Sequence, residues 1–299
     1  MALVGAGDRY VLSVVIPTRN RKPSLAGTLE ALDRQVGLRG PFEVVVADDG
    51  STDGTHELVQ AGRSSRSYPI QYLRLPAAGP ATARNRAIEV ARAPRVLLLG
   101  DDTAPEPGTL AAHLSAGEGE VGVQGQIDWD PERPITAVMR FLAPAGPQFY
   151  FANLVEGEAL PYTAVLGSNL SAPTAWFREE PFDEGFSAAA FEDTELAYRW
   201  ARHRWTVVYS RRARCLHRHA YETLEPFLER QARAGRAARY AIRRHPSMAW
   251  RVVAIPFAFG CFCAVCYLAR RVLGTARPEH RWDLEARATF LQGLFTAER

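Results

Sequence analysis

Through the first hundred residues, apolar runs that end in polar, turn-forming clusters alternate with stretches of helical spacing. "YVLSVVIP" (10–17) is β-branched and stopped by Pro17, as expected of a strand buried on both faces. "FEVVVADDGS" (42–51), "IQYLRL" (70–75) and "RVLLLG" (95–100) repeat the plan. Between them lie "PSLAGTLEALDRQV" (23–36), with Leu25, Leu29, Leu32 and Val36 at helical spacing, then "TDGTHELVQAG" (52–62) and "GPATARNRAIEVARA" (79–93). This alternation predicts an α/β fold with a doubly wound, mostly parallel sheet and right-handed crossovers. Ligands bind such sheets beyond the carboxyl ends of the strands. Here those ends read "PTRNR", "ADDGSTDG" and "GDDTAP", and they are expected on one rim.

The adjacent Asp101 and Asp102 follow the apolar run "VLLL" directly. Desolvating one carboxylate is costly, and two in contact repel each other. The pair is therefore expected to face a crevice with Asp48 and Asp49, compensated by water, a cation or a ligand.

Residues 104–190 are less regular. "QFYFANL" (148–154) and "LGSNLSAPTAWF" (166–177) read as strand and loop material lining a site. "FEDTELAYRWARHRW" (191–205) reads as a helix, "WTVVYS" (205–210) as a strand, and the chain from 221 onward as helical and basic. Residues 252–269 carry no charge, with Arg251 before them and Arg270 and Arg271 after. That length is at the lower limit for crossing a hydrocarbon core of ~30 Å, and Pro256 and Gly260 interrupt it. A segment dipping into one leaflet or lying in the interface is favoured over a spanning helix, and a spanning helix over a core helix.

The chain has 299 residues, 47% of them hydrophobic and 23% charged, enough to bury a core and to exclude wholesale disorder. A net charge of +3 gives no nucleic-acid footprint, although arginines crowd after position 199 in a pattern suited to anionic lipid or phosphate. Cys215, Cys261, Cys263 and Cys266 lack ligand spacing and read as small apolar residues. With no disulfide framework and no signal-like start, a cytoplasmic location is expected.

Six segments together resemble family 2 of the GT-A glycosyltransferases: "VVIPTRNR" (14–21), "VVADDGSTDGT" (45–55), "GPATARNRAI" (79–88), "LLLGDDTAP" (97–105), "GSNLSAP" (167–173) and "FDEGFSAAAFEDTELAYRW" (182–200). They stand in family order and spacing across about residues 10–220. The resemblance implies a nucleotide-sugar-binding catalytic domain over 1–220 and a helical, membrane-associated region over 221–299. It implies Mg²⁺ or Mn²⁺ at the diphosphate, with Asp102 as metal ligand and Asp101 as ribose contact. Gly100 occupies the first position of the family's Asp-x-Asp motif. Pro17, Thr18 and Arg19 would line the nucleotide. Asp49 would accept from the base, with Asp48 beside it, although either could cap the following helix. Arg84 would reach the diphosphate, and Asn169 would face the donor sugar or acceptor. In "FED", the resemblance makes Asp193 the general base of an inverting transfer and Glu192 its positioning partner; a favourable charge at a helix N-terminus is the plainer alternative. His217, ahead of His219, would be a further metal or diphosphate contact.

The partners implied are a UDP- or dTDP-sugar donor, a glycan or lipid-linked acceptor, and the cytoplasmic face of a membrane, with no nucleic acid. The activity implied belongs to surface-polysaccharide or envelope-glycolipid synthesis. Two other readings stand beside it: a nucleotidyltransferase, and a catalytically inactive membrane-bound module. All motif residues precede 220, so the nucleotide crevice is expected to be complete without the C-terminal region.

Overall fold

The computed structural model describes residues 10–186 and 190–296. Its sheet has eight strands: β1 (Leu12–Thr18), β2 (Phe42–Asp48), β3 (Ile70–Arg74), β4 (Arg95–Leu99), β5 (Thr103–Pro105), β6 (Gly122–Trp129), β7 (Asn169–Pro173) and β8 (Val207–His217). Their spatial order is β3-β2-β1-β4-β7-β6-β8-β5. The first four are parallel, as their near-continuous apolar runs require. Helices α1 (Lys22–Asp33), α2 (Thr55–Gly62) and α3 (Pro80–Val90) make the crossovers. Leu25, Leu29 and Leu32 of α1 are buried against one sheet face, and Ala83, Ala87 and Ile88 of α3 against the other.

Four of the seven strand pairings are parallel, and the antiparallel ones fall in the second half. β7 runs antiparallel to both β4 and β6, and β5 antiparallel to β8, while β6 and β8 are parallel. Only Gly100–Asp102 separate β4 from β5, yet β5 pairs with β8 at the far end of the strand order. The sheet therefore curls sharply at that corner. Residues 148–154 form no strand; they make a loop closed by an isolated bridge between Ala145 and Tyr150.

The remaining helices are α4 (Thr109–Ala116), α5 (Ala137–Leu142), α6 (Thr174–Glu179), α7 (Glu192–Arg202), α8 (Glu225–Arg244), α9 (Ile255–Val272) and α10 (Pro278–Phe295). α8 and α10 cross very closely. A Cβ on Gly235 would lie 2.1 Å from the Phe290 carbonyl oxygen, and one on Gly293 would lie 2.2 Å from that of Ala232. Ala286 of α10 shares a buried cluster with Trp129, Met139 and Phe149, and Leu294 another with Phe186 and Ala238. α9 is the exception. None of its residues is buried, and Phe257, Phe259, Phe262, Val265 and Leu268 are exposed. The core-helix reading of 252–269 is thereby corrected.

Candidate active site

Strand pairing assembles the site. β1 and β4 are neighbours, which brings Thr18 and Arg21 to the Asp101–Asp102 turn. The Thr18 hydroxyl donates to Asp101 Oδ2 at 2.8 Å, and the Thr28 hydroxyl donates to the Asp101 carbonyl at 2.9 Å. Arg21 donates to Asp102 Oδ2 at 2.6 Å and lies 3.4 Å from Asp101 Oδ1. Part of the compensation for two adjacent buried carboxylates is thus an arginine three residues beyond β1. Burial, reinforced by the Asp102 charge, still pushes Asp101 up to about 6 against the pull of Arg21. Gly100 has a steric reason: a Cβ there would lie 2.6 Å from Thr103 Oγ1 and 3.1 Å from Asp102 Oδ1. An aspartate at that motif position would require the Thr103 side chain to shift.

β5–β8 pairing sets Thr103 opposite His217, so His217 Nε2 stands 3.6 Å from Asp102 Oδ1. Trp129 and Phe149 pack against the imidazole. Burial lowers its pKa to about 4, so at neutral pH it is an uncharged nitrogen donor. Asp102 and His217 thus offer one carboxylate and one imidazole to a single cation. Among the described residues no cluster of three or more acidic, His or Cys side chains could hold a metal alone. This mixed carboxylate and imidazole set fits a transition-metal dication such as Mn²⁺ that takes its remaining ligands from substrate oxygens and water. A dication bound there would neutralise charge on a leaving diphosphate.

The opposite side of the rim carries the second acidic pair. Phe191 takes a left-handed conformation (φ 73°) immediately before α7, an uncommon state for an aromatic residue that suggests local constraint at a site. Asp193 is half-buried; its Oδ2 accepts from the Gly167 N–H at 2.8 Å and its Oδ1 from the Thr194 N–H at 2.8 Å. Gly167 leads into β7, and the next residue, Ser168, accepts from the Gly100 N–H at 3.2 Å. Two residues therefore couple the Asp193 carboxylate to the Asp101–Asp102 turn. Glu192 is buried and accepts from Arg84 Nη1 at 2.6 Å. Burial raises its pKa, Arg84 holds it down and Asp193 adds to the rise. A cavity of about 270 Å³ opens beside this pair, with Gln148 and Ser168 on one side and Phe227, Arg230 and Gln231 of α8 on the other.

Several sequence assignments are corrected. Asn169 does not face a substrate. It is fully buried, hydrogen-bonds His113 Nε2 at 2.8 Å, and donates to the carbonyls of Gln126 (3.0 Å) and Ala213 (2.8 Å). Its place in β7, between β4 and β6, makes it an internal tie of the curled sheet. Asp48 is fully buried as well. It accepts from the Ser51 N–H at 2.7 Å and from the Tyr72 hydroxyl, closing the turn after β2 rather than meeting a nucleotide. Thr18 serves Asp101 as described, and its hydroxyl hydrogen is committed there. Arg84 is engaged by Glu192 and stacked over Phe182 at 5.2 Å, so its charge stands with the catalytic-pair candidates rather than with Asp101 and Asp102.

Asp49, the residue after β2, is buried as well, at 5% exposure. It accepts from the N–H groups of Ala78 (2.6 Å) and Gly79 (3.1 Å), which draws the β3–α3 loop over the crevice. Arg19 is largely exposed and 3.8 Å from Asp49, and Pro17 is half-buried at the end of β1. Three residues that the motifs did not single out belong to the site: Arg21, Gln148 and Arg230. The first lies within "VVIPTRNR", where its spacing from Asp102 could not be read. The other two come from the irregular loop and from α8, close to Asp193 only through tertiary packing.

Comparison with known proteins identifies the family and the fold. The family model described as glycosyl transferase family 2 matches residues 13–185. Validoxylamine A glucosyltransferase from Streptomyces hygroscopicus subsp. jinggangensis is 33% identical over 232 residues, covering 67% of this chain and 54% of that protein. The chain thus spans about half the length of the first curated relatives it matches. Mannosyltransferase PcManGT from Pyrobaculum calidifontis, solved with GDP-Man and Mn²⁺, superposes with a TM-score of 0.68 at 17% identity, over 96% of this chain and 86% of that one. TarS 1–349 from S. aureus with UDP gives 0.54 at 19%, over 95% and 88%. These two solved structures share the fold, two acidic clusters face one rim, and the family pattern covers more than half of the residues: the chain belongs to glycosyl transferase family 2.

Proposed function

We propose that the chain is an inverting, metal-dependent glycosyltransferase. It moves a sugar from a UDP- or dTDP-sugar to a hydroxyl of a glycan or lipid-linked acceptor, at the cytoplasmic face of a membrane, in surface-polysaccharide or envelope-glycolipid synthesis. The observation that carries this reading is the fixed placement of Asp193. One of its oxygens is pinned by the Gly167 N–H, and the Gly167–Ser168 segment reaches back to Gly100 beside Asp101 and Asp102. In the reaction, the acceptor hydroxyl gives its proton to Asp193 and its oxygen bonds to the anomeric carbon. The bond from that carbon to the diphosphate breaks, and the electron pair leaves with the nucleoside diphosphate. Asp102 and His217 would hold the dication. Asp49 supports a base with an N–H to donate, such as uracil or thymine. A thermal-shift series of UDP, dTDP, GDP and CMP, with and without Mn²⁺, tests the donor side. We expect stabilisation by UDP or dTDP, greater with Mn²⁺, of about 2.7 kcal/mol at a hundred times Kd. Stabilisation by GDP or CMP alone would overturn the donor assignment.

Membrane attachment rests on α9. The stretch Pro246–Val272 is long and apolar enough to cross a bilayer, and little of it is buried. α10 then returns to pack against α8, so both ends of α9 lie on the same side as the sheet. That return favours a helix lying in one leaflet over a spanning one. Arginines nearby (Arg251, Arg270, Arg271) can each gain about 1 kcal/mol near an anionic surface. The triple substitution Phe262→Glu, Val265→Glu, Leu268→Glu is therefore expected to abolish co-sedimentation with anionic vesicles while nucleotide stabilisation persists. Undiminished pelleting would refute the attachment.

A further inference from the structure

The cavity beside Asp193 has a neighbour. Five of its lining residues, Pro147, Phe191, Thr194, Gln231 and Phe290, also line a second cavity of about 350 Å³. This second space reaches Val252, Pro256 and Phe257 around the start of α9 and Leu291 of α10. The two cavities are therefore neighbours across a shared wall, one beside the catalytic-pair candidates and the other beside the exposed apolar helix. They differ in chemistry. The inner cavity holds Gln148, which is nine-tenths buried and whose amide oxygen and nitrogen both lack a hydrogen-bond partner among the described residues. Leaving such a group unmet is costly, so a partner from outside is the expected explanation. Gln231 adds a second amide to the lining. The outer cavity is walled largely by aliphatic and aromatic carbon, with Arg251 and the Arg287–Asp283 pair among its polar lining residues.

We infer that the acceptor is an amphiphile: a hydroxylated, sugar-like head held by Gln148 and Gln231 next to Asp193, and a hydrocarbon chain lying in the second cavity and leaving along α9. An amide offers one donor group and one acceptor group, which matches a pair of sugar hydroxyls. The apolar cavity adjoins the site that must receive the acceptor, and it lies beside the start of the helix most suited to a bilayer. This inference rests on the glycosyltransferase reading and narrows its two acceptor classes to one, with the residues that would hold each end.

The test uses the full chain with UDP and Mn²⁺, titrated with methyl, hexyl and octyl glucoside below their micelle concentrations. Octyl glucoside is expected to bind about tenfold tighter than hexyl glucoside, because two further methylenes leave water. Gln148→Met should weaken all three glucosides by about tenfold, the loss of buried hydrogen bonds. Thr163→Trp, at an exposed position lining the outer cavity, should erase the preference for octyl over hexyl and leave methyl glucoside unaffected. Affinity independent of chain length would overturn the inference. So would a chain-length preference that survives Thr163→Trp, which would mean detergent-like adsorption on the face of α9. Stabilisation by UDP is read in the same samples before glucoside is added. Its absence in the wild type would overturn the UDP donor assignment, whereas a flat chain-length series with UDP bound would overturn the amphiphilic acceptor alone.

Discussion

Asp193→Asn should lower turnover by about 10²–10⁴-fold, the usual worth of a positioned general base, while UDP affinity stays within about twofold. The substitution is nearly isosteric. The asparagine carbonyl can still accept from the Gly167 N–H or the Thr194 N–H, the two backbone bonds that orient Asp193. What is lost is the ability to take the acceptor proton as the new bond forms. kcat and kcat/KM should therefore fall together, since the interaction removed is made only in the transition state. Glu192 is poorly suited to replace it, being buried and already an acceptor for Arg84 at 2.6 Å. Near-native transfer by Asp193→Asn would nevertheless pass the role to Glu192, and Glu192→Gln would then carry the large loss. Steady-state transfer assays of both variants, each with a nucleotide thermal shift as a check on folding, decide between them.

The parallel half of the fold was legible because its strands are buried on both faces. Such strands write themselves as unbroken apolar runs, and the helices between them keep a helical spacing of leucine or alanine. Position relative to those runs also made the rim readable: Asp49, Asp101 and Asp102 follow strands, and strand ends in such a sheet face the crevice. The antiparallel half was opaque for a physical reason. β6 reads "GVQGQIDW", with polar residues at buried positions whose partners come from distant strands. Gln124, for example, donates to the Asn169 carbonyl at 3.1 Å. β5 is only three residues long and is defined by its pairing, not by its composition.

The misassigned site residues share one origin. Asn169 and Asp48 are polar residues in motifs, and a motif does not say whether a side chain points into a crevice or into the sheet. For Asp48 local chemistry held the answer, since an Asp three residues before a Ser N–H is a turn-closing pattern. For Asn169 nothing local did. Its three partners, His113, Gln126 and Ala213, are remote in the chain. Arg21 was hidden in the same way, because its partnership with Asp102 exists only through the adjacency of β1 and β4.

That partnership gives Asp102→Ala a signature that a structural role would not produce. With Mn²⁺ present, the variant is expected to bind UDP about 100-fold more weakly, because the carboxylate that would hold the ion beside the diphosphate is gone. With EDTA the expectation reverses. Asp101 and Asp102 then present negative charge to a negatively charged diphosphate, and that repulsion opposes binding. Removing Asp102 deletes part of the repulsion. It also frees Arg21 from its 2.6 Å bond, leaving a guanidinium able to meet a phosphate directly. The variant should therefore bind UDP as tightly as the wild type, or more tightly, when no divalent ion is present. If Asp102 served only to hold Arg21 and the turn, the loss would be the same in both conditions. Titration of UDP by calorimetry into both proteins, with Mn²⁺ and with EDTA, separates the two cases. Equal weakening in all conditions would sink the metal assignment, and no weakening in Mn²⁺ would remove Asp102 from the donor site altogether.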